Sequence, residues 1–307
     1  MDALSRFLLF HPVGVSLDYR CELSAPWRLE NNGTAPGIAP YHIVTEGSAR
    51  LEVSGVEPAV LSAGDVVMLP RGHSHVLHAG GRSSALPERV ISNESVFKTL
   101  KNSGTGARTE VLCGEFVFDM QTSGLLVQSL PDVLLIRTQE SQDHYSLQQL
   151  MLLLKKETKT PLPGTQVIVQ HLASALFSLL IRSWVQSSQL SRNLWSLLVN
   201  PRLSPAVKSI LMSPDKRWSI EQLAALCHMS RATFIRVFTQ AAGNSPGYFL
   251  TETRLLHAMQ LLSQRELNIS NICERVGYSS EPAFHRIFKK RMGMTPGEFR
   301  QRKIHEA

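Results

Sequence analysis

The last third of the chain repeats itself, and this duplication restricts the fold more than any other feature of the 307 residues. Displacing Ser230–Phe249 by fifty places lays it on Ser280–Phe299, with Ser230 on Ser280, Phe234 on Phe284, Arg236 on Arg286 and Phe238 on Phe288. The register runs on through Gly243 on Gly293, Pro246 on Pro296, Gly247 on Gly297 and Phe249 on Phe299. Upstream the offset is 49, where Ile220, Leu223, Ala224 and Cys227 match Ile269, Ile272, Cys273 and Val276. Each set is an i, i+3, i+4, i+7 ladder, the apolar stripe of a helix. The second unit therefore carries one extra residue in its turn.

Each unit spells a helix, a tight turn and a second helix. Ser219 with Gln222 predicts a capping box at the start of the first helix, and Gly277 stands where a helix end needs positive φ. Ser230 and Ser280 are expected to N-cap the second helices, which close at Gly243 and Gly293. Thr295 with Glu298 reads as a further capping box. Phe234, Val237 and Phe238, like Phe284, Ile287 and Phe288, form the inward stripe. The outward face is left to Arg231, Ala232, Ile235 and Arg236, and to Glu281, Pro282, His285 and Arg286.

Charge follows the repeat. Residues 201–307 hold 16 Lys and Arg against 8 Asp and Glu, whereas residues 1–200 hold 16 against 17. A basic third beside a neutral remainder suits a partner that is a polyanion. A helix about 10–12 Å wide fits the DNA major groove, where base edges are legible, while basic side chains hold phosphates. Two such helices in one polypeptide, joined by the helix expected over Phe249–Leu262, could enter groove segments about 34 Å apart on one face of the duplex.

The motifs Gly277-Tyr278-Ser279-Ser280, Phe284-His285-Arg286-Ile287-Phe288-Lys289 and Gly293-Met294-Thr295-Pro296 resemble the signature of the AraC/XylS family of transcription regulators. The resemblance covers about the last 95 residues. It implies groove-facing roles for Ala232, Ile235 and Arg236 in the first unit, and for Glu281, Pro282, His285 and Arg286 in the second, with Arg231, Lys289 and Lys290 as further DNA-binding candidates. The first set departs from a polar pattern, because Ala232 and Ile235 can touch thymine methyl groups but cannot hydrogen-bond. Base reading by that helix is then expected to rest on Arg236. His228 and His257 are expected to be ordinary helix-surface or turn residues.

From Val13 to about Asp119 the chain reads as short strands punctuated by Gly and Pro, with Ser48–Val53 in strict alternation, which predicts a small antiparallel barrel. Between Gly80 and Arg108 the sequence is rich in Ser, Asn and Gly and reads as a long loop. Two amphipathic helices are expected between about Tyr145 and Val199, packed on the barrel or forming a subunit interface. No apolar stretch of membrane-spanning length is read, and Met1-Asp2-Ala3-Leu4-Ser5-Arg6 lacks the basic start of a secretory signal, so a cytoplasmic location is expected.

Gly64-Asp65 through Pro70, Gly72 and His75 resembles the second sequence element of cupin barrels, and Tyr41–Gly47 resembles the strand leading into the first. Metal-binding cupins use an H-x-H pair and a Glu in the first element, which this chain lacks: His42 stands alone. His73 and His75, spaced to share a strand face, complete the candidate ligands. Solvent-facing turn histidines are the expectation, and no cofactor is expected.

Cys21, Cys113, Cys227 and Cys273 are too dispersed for a CxxC metal pair. Cys227 and Cys273 fall in the apolar ladders and read as core. Cys21 and Cys113 lie in strands at opposite ends of the barrel sequence, where antiparallel closure could bring them together, and Arg20 beside Cys21 could favour a thiolate. The layout resembles the cupin-sensor subgroup of the family, some of whose members answer reactive oxidants. That resemblance implies a redox-sensing pair, with buried inert thiols as the alternative.

The expected fold is α+β in two domains. A cupin-like barrel over 1–143 precedes helices over 144–199 and a domain over 200–307 with helix-turn-helix units at 219–243 and 269–293. The expected function is a non-enzymatic DNA-binding transcription regulator, an activator by resemblance, whose partners are double-stranded DNA, RNA polymerase and a second copy of itself, with no membrane. The competing reading is a cupin-type metalloenzyme with a basic accessory tail.

Overall fold

The computed structural model describes residues 1–80, 97–140, 144–187, 192–264 and 267–306. Two compact units result, Val13–Ser188 on one side and Met1–Pro12 with Gln189–Ala307 on the other. The boundaries differ from those expected at 143 and 199. The first helix, α1 (Ala3–Phe10), joins the C-terminal unit, because Ala3, Phe7 and Phe10 are buried and the Phe7 ring meets Trp195 edge-on at 5.8 Å.

In the barrel unit, β3 (Ile38–Glu46), β6 (Asp65–Met68), β9 (Arg108–Phe118) and β10 (Leu134–Arg137) form one sheet with β1 (Val13–Ser24) and β8 (Lys98–Lys101), in the order β10-β6-β3-β9-β1-β8. The facing sheet takes β2 (Trp27–Asn31), β4 (Ser48–Val53), β5 (Ala59–Ser62) and β7 (His75–Ala79), in the order β2-β7-β4-β5. The alternation read in β4 buries Ala49, Leu51 and Val53. They enclose a core with Leu23, Trp27, Val44, Leu61, Val67, Leu77 and Val111.

Three expectations change. The loop read from Gly80 to Arg108 contains β8, a four-residue edge strand paired parallel with β1; residues 81–96 of that loop lie outside the described residues. Lysines at both ends make β8 look like loop, yet they are what protects an edge strand from further pairing. Between the barrel strands and the expected helices, α2 (Met120–Ser129) and β10 went unread. The helices themselves are α3 (Tyr145–Lys159) and α4 (Thr165–Ser187) in this unit, with α5 (Leu194–Val199) in the other.

By length and composition α4 is apolar enough to cross a membrane, against the reading that no segment qualifies. Its Ser, Gln and His are dispersed singly through 23 residues and barely dilute its apolar character. Val169, Ala173, Leu176, Phe177, Leu180 and Ile181 are nevertheless buried, and Phe177 lies 5.2 Å from Phe116 and 5.6 Å from Phe118 of β9. Such packing makes α4 a core helix of this unit.

The second unit continues with α6 (Ser204–Met212), α7 (Ile220–Leu226), α8 (Arg231–Ala242), α9 (Pro246–Leu262), α10 (Ile269–Arg275), α11 (Glu281–Met292) and α12 (Pro296–Glu306). The repeat in sequence is a repeat in packing. Phe234–Phe238 and Phe238–Phe249 sit 5.6 and 5.9 Å apart; fifty residues on, Phe284–Phe288 and Phe288–Phe299 sit 5.6 and 5.7 Å apart. The central α9 gives Leu255, Ala258, Met259 and Leu262 to the second cluster, along with Ile272, Cys273 and Val276.

Both capping boxes form as read, at Ser219/Gln222 and Thr295/Glu298, and Ser230 accepts from the Thr233 N–H. Ser280 does not cap with its side chain, although its backbone is extended at the N-cap. Gly243 and Gly293 end α8 and α11 at φ 74° and 75°, and Gly277 takes φ 83° where any Cβ would collide with the Asp215 carbonyl. In the first unit the matching left-handed position is taken by His228 at φ 53°, so this turn residue carries backbone strain that its repeat avoids with glycine.

Candidate functional site

The duplicated helices present their polar faces outward. Arg231, Ala232, Ile235 and Arg236 on α8 are exposed, as are Glu281, Pro282, Arg286, Lys289 and Lys290 on α11, while His285 is half-buried against Phe284. The opposite faces are anchored by Phe234 and Phe238, and by Phe284 and Phe288, all inaccessible to solvent. Not every guanidinium is equally available. Arg231 Nε lies 3.0 Å from Glu221, a highly exposed pair that gives way readily to a phosphate. Arg236 shares an open cleft of about 440 Å³ with Arg192 and Arg202. Sequence reading missed those two cations because they stand outside both repeats. At the other end of α11, Lys289, Lys290 and Arg291 occupy the last turn, where positive charge complements the helix dipole.

The second cluster lies inside the barrel. β9 runs between β3 and β1, and the register sets Cys113 opposite His42 on one side and opposite Tyr19 on the other, with Val111 opposite Cys21. Cys113 and Cys21 are therefore diagonal neighbours across β9 and β1. His42 Nδ1 lies 3.1 Å from Cys113 Sγ, His42 Nε2 lies 2.8 Å from His75 Nε2, and His75 Nδ1 lies 2.9 Å from the His73 carbonyl oxygen. Four side chains from four strands thus form one polar chain, half-buried at Cys113 and buried at the other three. Cys21 is 1% exposed, His75 4% and His42 7%.

Several expectations about these residues are corrected. Arg20 does not serve the thiols: alternation turns it away from Cys21, and its Nε bonds Glu110 at 2.8 Å while Glu22 takes its Nη2. At Cys113 the neighbouring Cys21 and then burial hold the pKa well above the ordinary value. His75 is not a solvent-facing turn residue; it opens β7 and is buried. Burial, then the neighbouring His75, pushes His42 down to about 3. His73 enters the chain only through its carbonyl. His42 offers opposite ring nitrogens to Cys113 and His75, so one ion cannot be held by all three. Among the described residues no group of three or more His, Cys, Asp or Glu is placed to hold a metal. The apolar settings expected of Cys227 and Cys273 are found, both thiols being buried.

A family model described as Cupin matches residues 2–186, and one described as Helix-turn-helix domain matches residues 223–302. The RCS-specific HTH-type transcriptional activator RclR of Escherichia coli is 31% identical over 98% of this chain and 98% of its own length. The HTH-type transcriptional regulator MtrA of Neisseria gonorrhoeae is 29% identical over 98% of each. A solved AraC-type DNA-binding domain protein from Chromobacterium violaceum is 31% identical over 34% of this chain and 92% of its own, with a TM-score of 0.32. The relatives are named as regulators, not enzymes, and AraC-type helix-turn-helix proteins bind DNA. The chain belongs to the AraC family of transcription regulators, with a cupin domain ahead of its paired helix-turn-helix motifs.

Proposed function

We propose that the protein is a cytoplasmic transcription activator that reads promoter DNA with α8 and α11 and is switched by oxidation of Cys21 and Cys113. The observation that carries the switch is the diagonal placement of Cys21, buried, and Cys113, half-buried, across β1 and β9. Reactive chlorine is the proposed signal, in keeping with the relative named as RCS-specific. Two thiols and one hypochlorous acid give a disulfide, water, chloride and a proton. Diagonal neighbours in an antiparallel ladder sit about 7–8 Å apart at Cα, beyond comfortable disulfide reach, so closure draws β1 and β9 together. A covalent change of that kind alters the barrel itself.

The partners follow from the same reading: double-stranded DNA, RNA polymerase at the activated promoter, and a second copy of the chain. Self-association is assigned to α3 and α4, where Leu152, Leu153, Val167 and Ile168 remain exposed. Replacing Cys21 or Cys113 by serine and measuring target-gene induction by hypochlorite tests the switch. Loss of induction with unchanged affinity of the reduced protein for DNA is expected; full induction in both variants would exclude the thiols.

On DNA, Arg236 is assigned to a base edge and Arg192 and Arg202 to phosphates. Arg236→Ala is expected to flatten base preference at one position by about 1–3 kcal/mol, whereas Arg202→Ala should weaken all sequences alike and lower the salt slope by about one. A uniform loss from Arg236→Ala would place that side chain among the phosphate contacts suggested by its shared cleft.

A further inference from the structure

The polar chain has a direction. A carbonyl oxygen can only accept, so His75 Nδ1 carries the proton that bonds the His73 carbonyl, and neutral His75 is left with a lone pair on Nε2. His42 Nε2 must then donate to it across 2.8 Å, which leaves the lone pair of His42 on Nδ1, facing Cys113 Sγ at 3.1 Å. The Cys113 thiol is therefore the donor in that contact. One backbone carbonyl sets the tautomer of two histidines and aims a free base at one sulfur.

We propose that His42 is the proton acceptor for the Cys113 thiol, and that His75 passes the proton on to the cleft at the barrel surface. The proposal rests on the oxidant-switch reading and adds the residues that make a neutral thiol reactive. As Cys113 Sγ attacks the chlorine of hypochlorous acid, its S–H bond breaks and the S–Cl bond forms, and the leaving hydroxide takes up a proton to become water. The thiol proton moves to His42 Nδ1, the His42 Nε2 proton moves to His75 Nε2, and a proton leaves from His75. Cys21 Sγ then attacks Cys113 Sγ, the S–Cl bond breaks, chloride departs, and the Cys21 thiol proton is released to water.

His42 needs this outlet. Deep in the barrel it is a weak base, held down by burial and by His75, and cannot retain the proton. His75 lines an open cleft of about 550 Å³ on the β2–β7–β4 sheet, together with Arg28, Glu30 and Glu52. Glu30 and Glu52 stand opposite Val76, on the other face of the sheet from the His75 ring, and are paired with Arg28 and His78 respectively. The other charged group acting on the thiols is Asp18, which opposes a Cys113 thiolate and so adds to the need for a base. Burial also lowers the pKa of His75, leaving it neutral and receptive at neutral pH. As pH falls through that lowered value the outlet fills and the relay closes.

The test uses the reduced full-length protein and the uncharged probe 4,4′-dithiodipyridine, with Cys113 modification followed by peptide mass spectrometry from pH 5 to 10. His42→Asn is expected to slow Cys113 by about a hundredfold at pH 7. The deficit should shrink toward pH 10, where hydroxide replaces the base. His75→Asn should give a smaller loss with the same trend. Added imidazole should partly restore His42→Ala, which a packing defect would not allow, and denaturant unfolding of each reduced variant reports its folding. Rates equal to the parent at pH 7, or a deficit constant across pH and untouched by imidazole, would overturn the relay. Failure of the switch reads differently: the disulfide would form at the parental rate yet leave transcription unchanged.

Discussion

Glu110→Ala is expected to destabilise the barrel unit by about 3–5 kcal/mol, the usual cost of leaving one member of a buried ion pair alone. Glu110 is 1% exposed on β9 and accepts from Arg20 Nε at 2.8 Å, with Lys155 Nζ of α3 at 3.1 Å on its other oxygen. Removing the carboxylate strands Arg20, itself 7% exposed, with only Glu22 for company. Denaturant unfolding of the parent and variant measures the loss. The double variant Arg20→Met/Glu110→Leu should recover most of it, because no charge is then left buried. A loss below about 1 kcal/mol from Glu110→Ala would mean the site admits water freely.

The same carboxylate fixes an acid limit. Burial raises its pKa, but hydrogen bonds from Arg20 and Lys155 outweigh burial, so the folded value lies below the ordinary one. A depressed carboxylate contributes stability that is complete above the unfolded pKa of about 4.3 and is lost as pH falls through the folded value. The parent should therefore lose more stability on acidification below about pH 4.3 than does the double variant.

The second large effect concerns the duplication. Phe284→Ala should cost about 3–5 kcal/mol by emptying the centre of the α10–α11 core, where Phe284 touches Tyr278 and Phe288. Phe234→Ala should cost as much in the first unit, at the equivalent place. Hydrogen exchange distinguishes them: amides of α10–α12 should lose protection in Phe284→Ala, and those of α7 and α8 in Phe234→Ala. Identical exchange patterns in the two variants would mean that the units do not have separate cores.

Much of this was legible in sequence because its signals are local. Helix caps, the i, i+3, i+4, i+7 ladders and the glycines ending α8 and α11 lie within a few residues of their partners, and each occurs twice. The barrel was legible only as a class. The dependence of Cys113 on His42 spans 71 positions and exists only through the β3–β9 register, which no local pattern sets. Period-two alternation places His42 and Cys113 on a face of each strand, yet says nothing about which strands adjoin. Arg20 failed as a thiolate promoter for the same reason: its partner is 90 positions away in β9. β8 and α2 were missed because their sequences are short and polar, and pairing or packing holds them rather than propensity.

The most direct measurement is a base-resolution footprint of the reduced full-length protein on a bound promoter, with its stoichiometry. Two major-groove segments about one helical turn, or 10–10.5 base pairs, apart on one face, protected by a single polypeptide, are expected, with Phe284→Ala erasing one and Phe234→Ala the other. A single protected segment per chain, or two that appear only when two chains are bound, would contradict the paired-reader architecture.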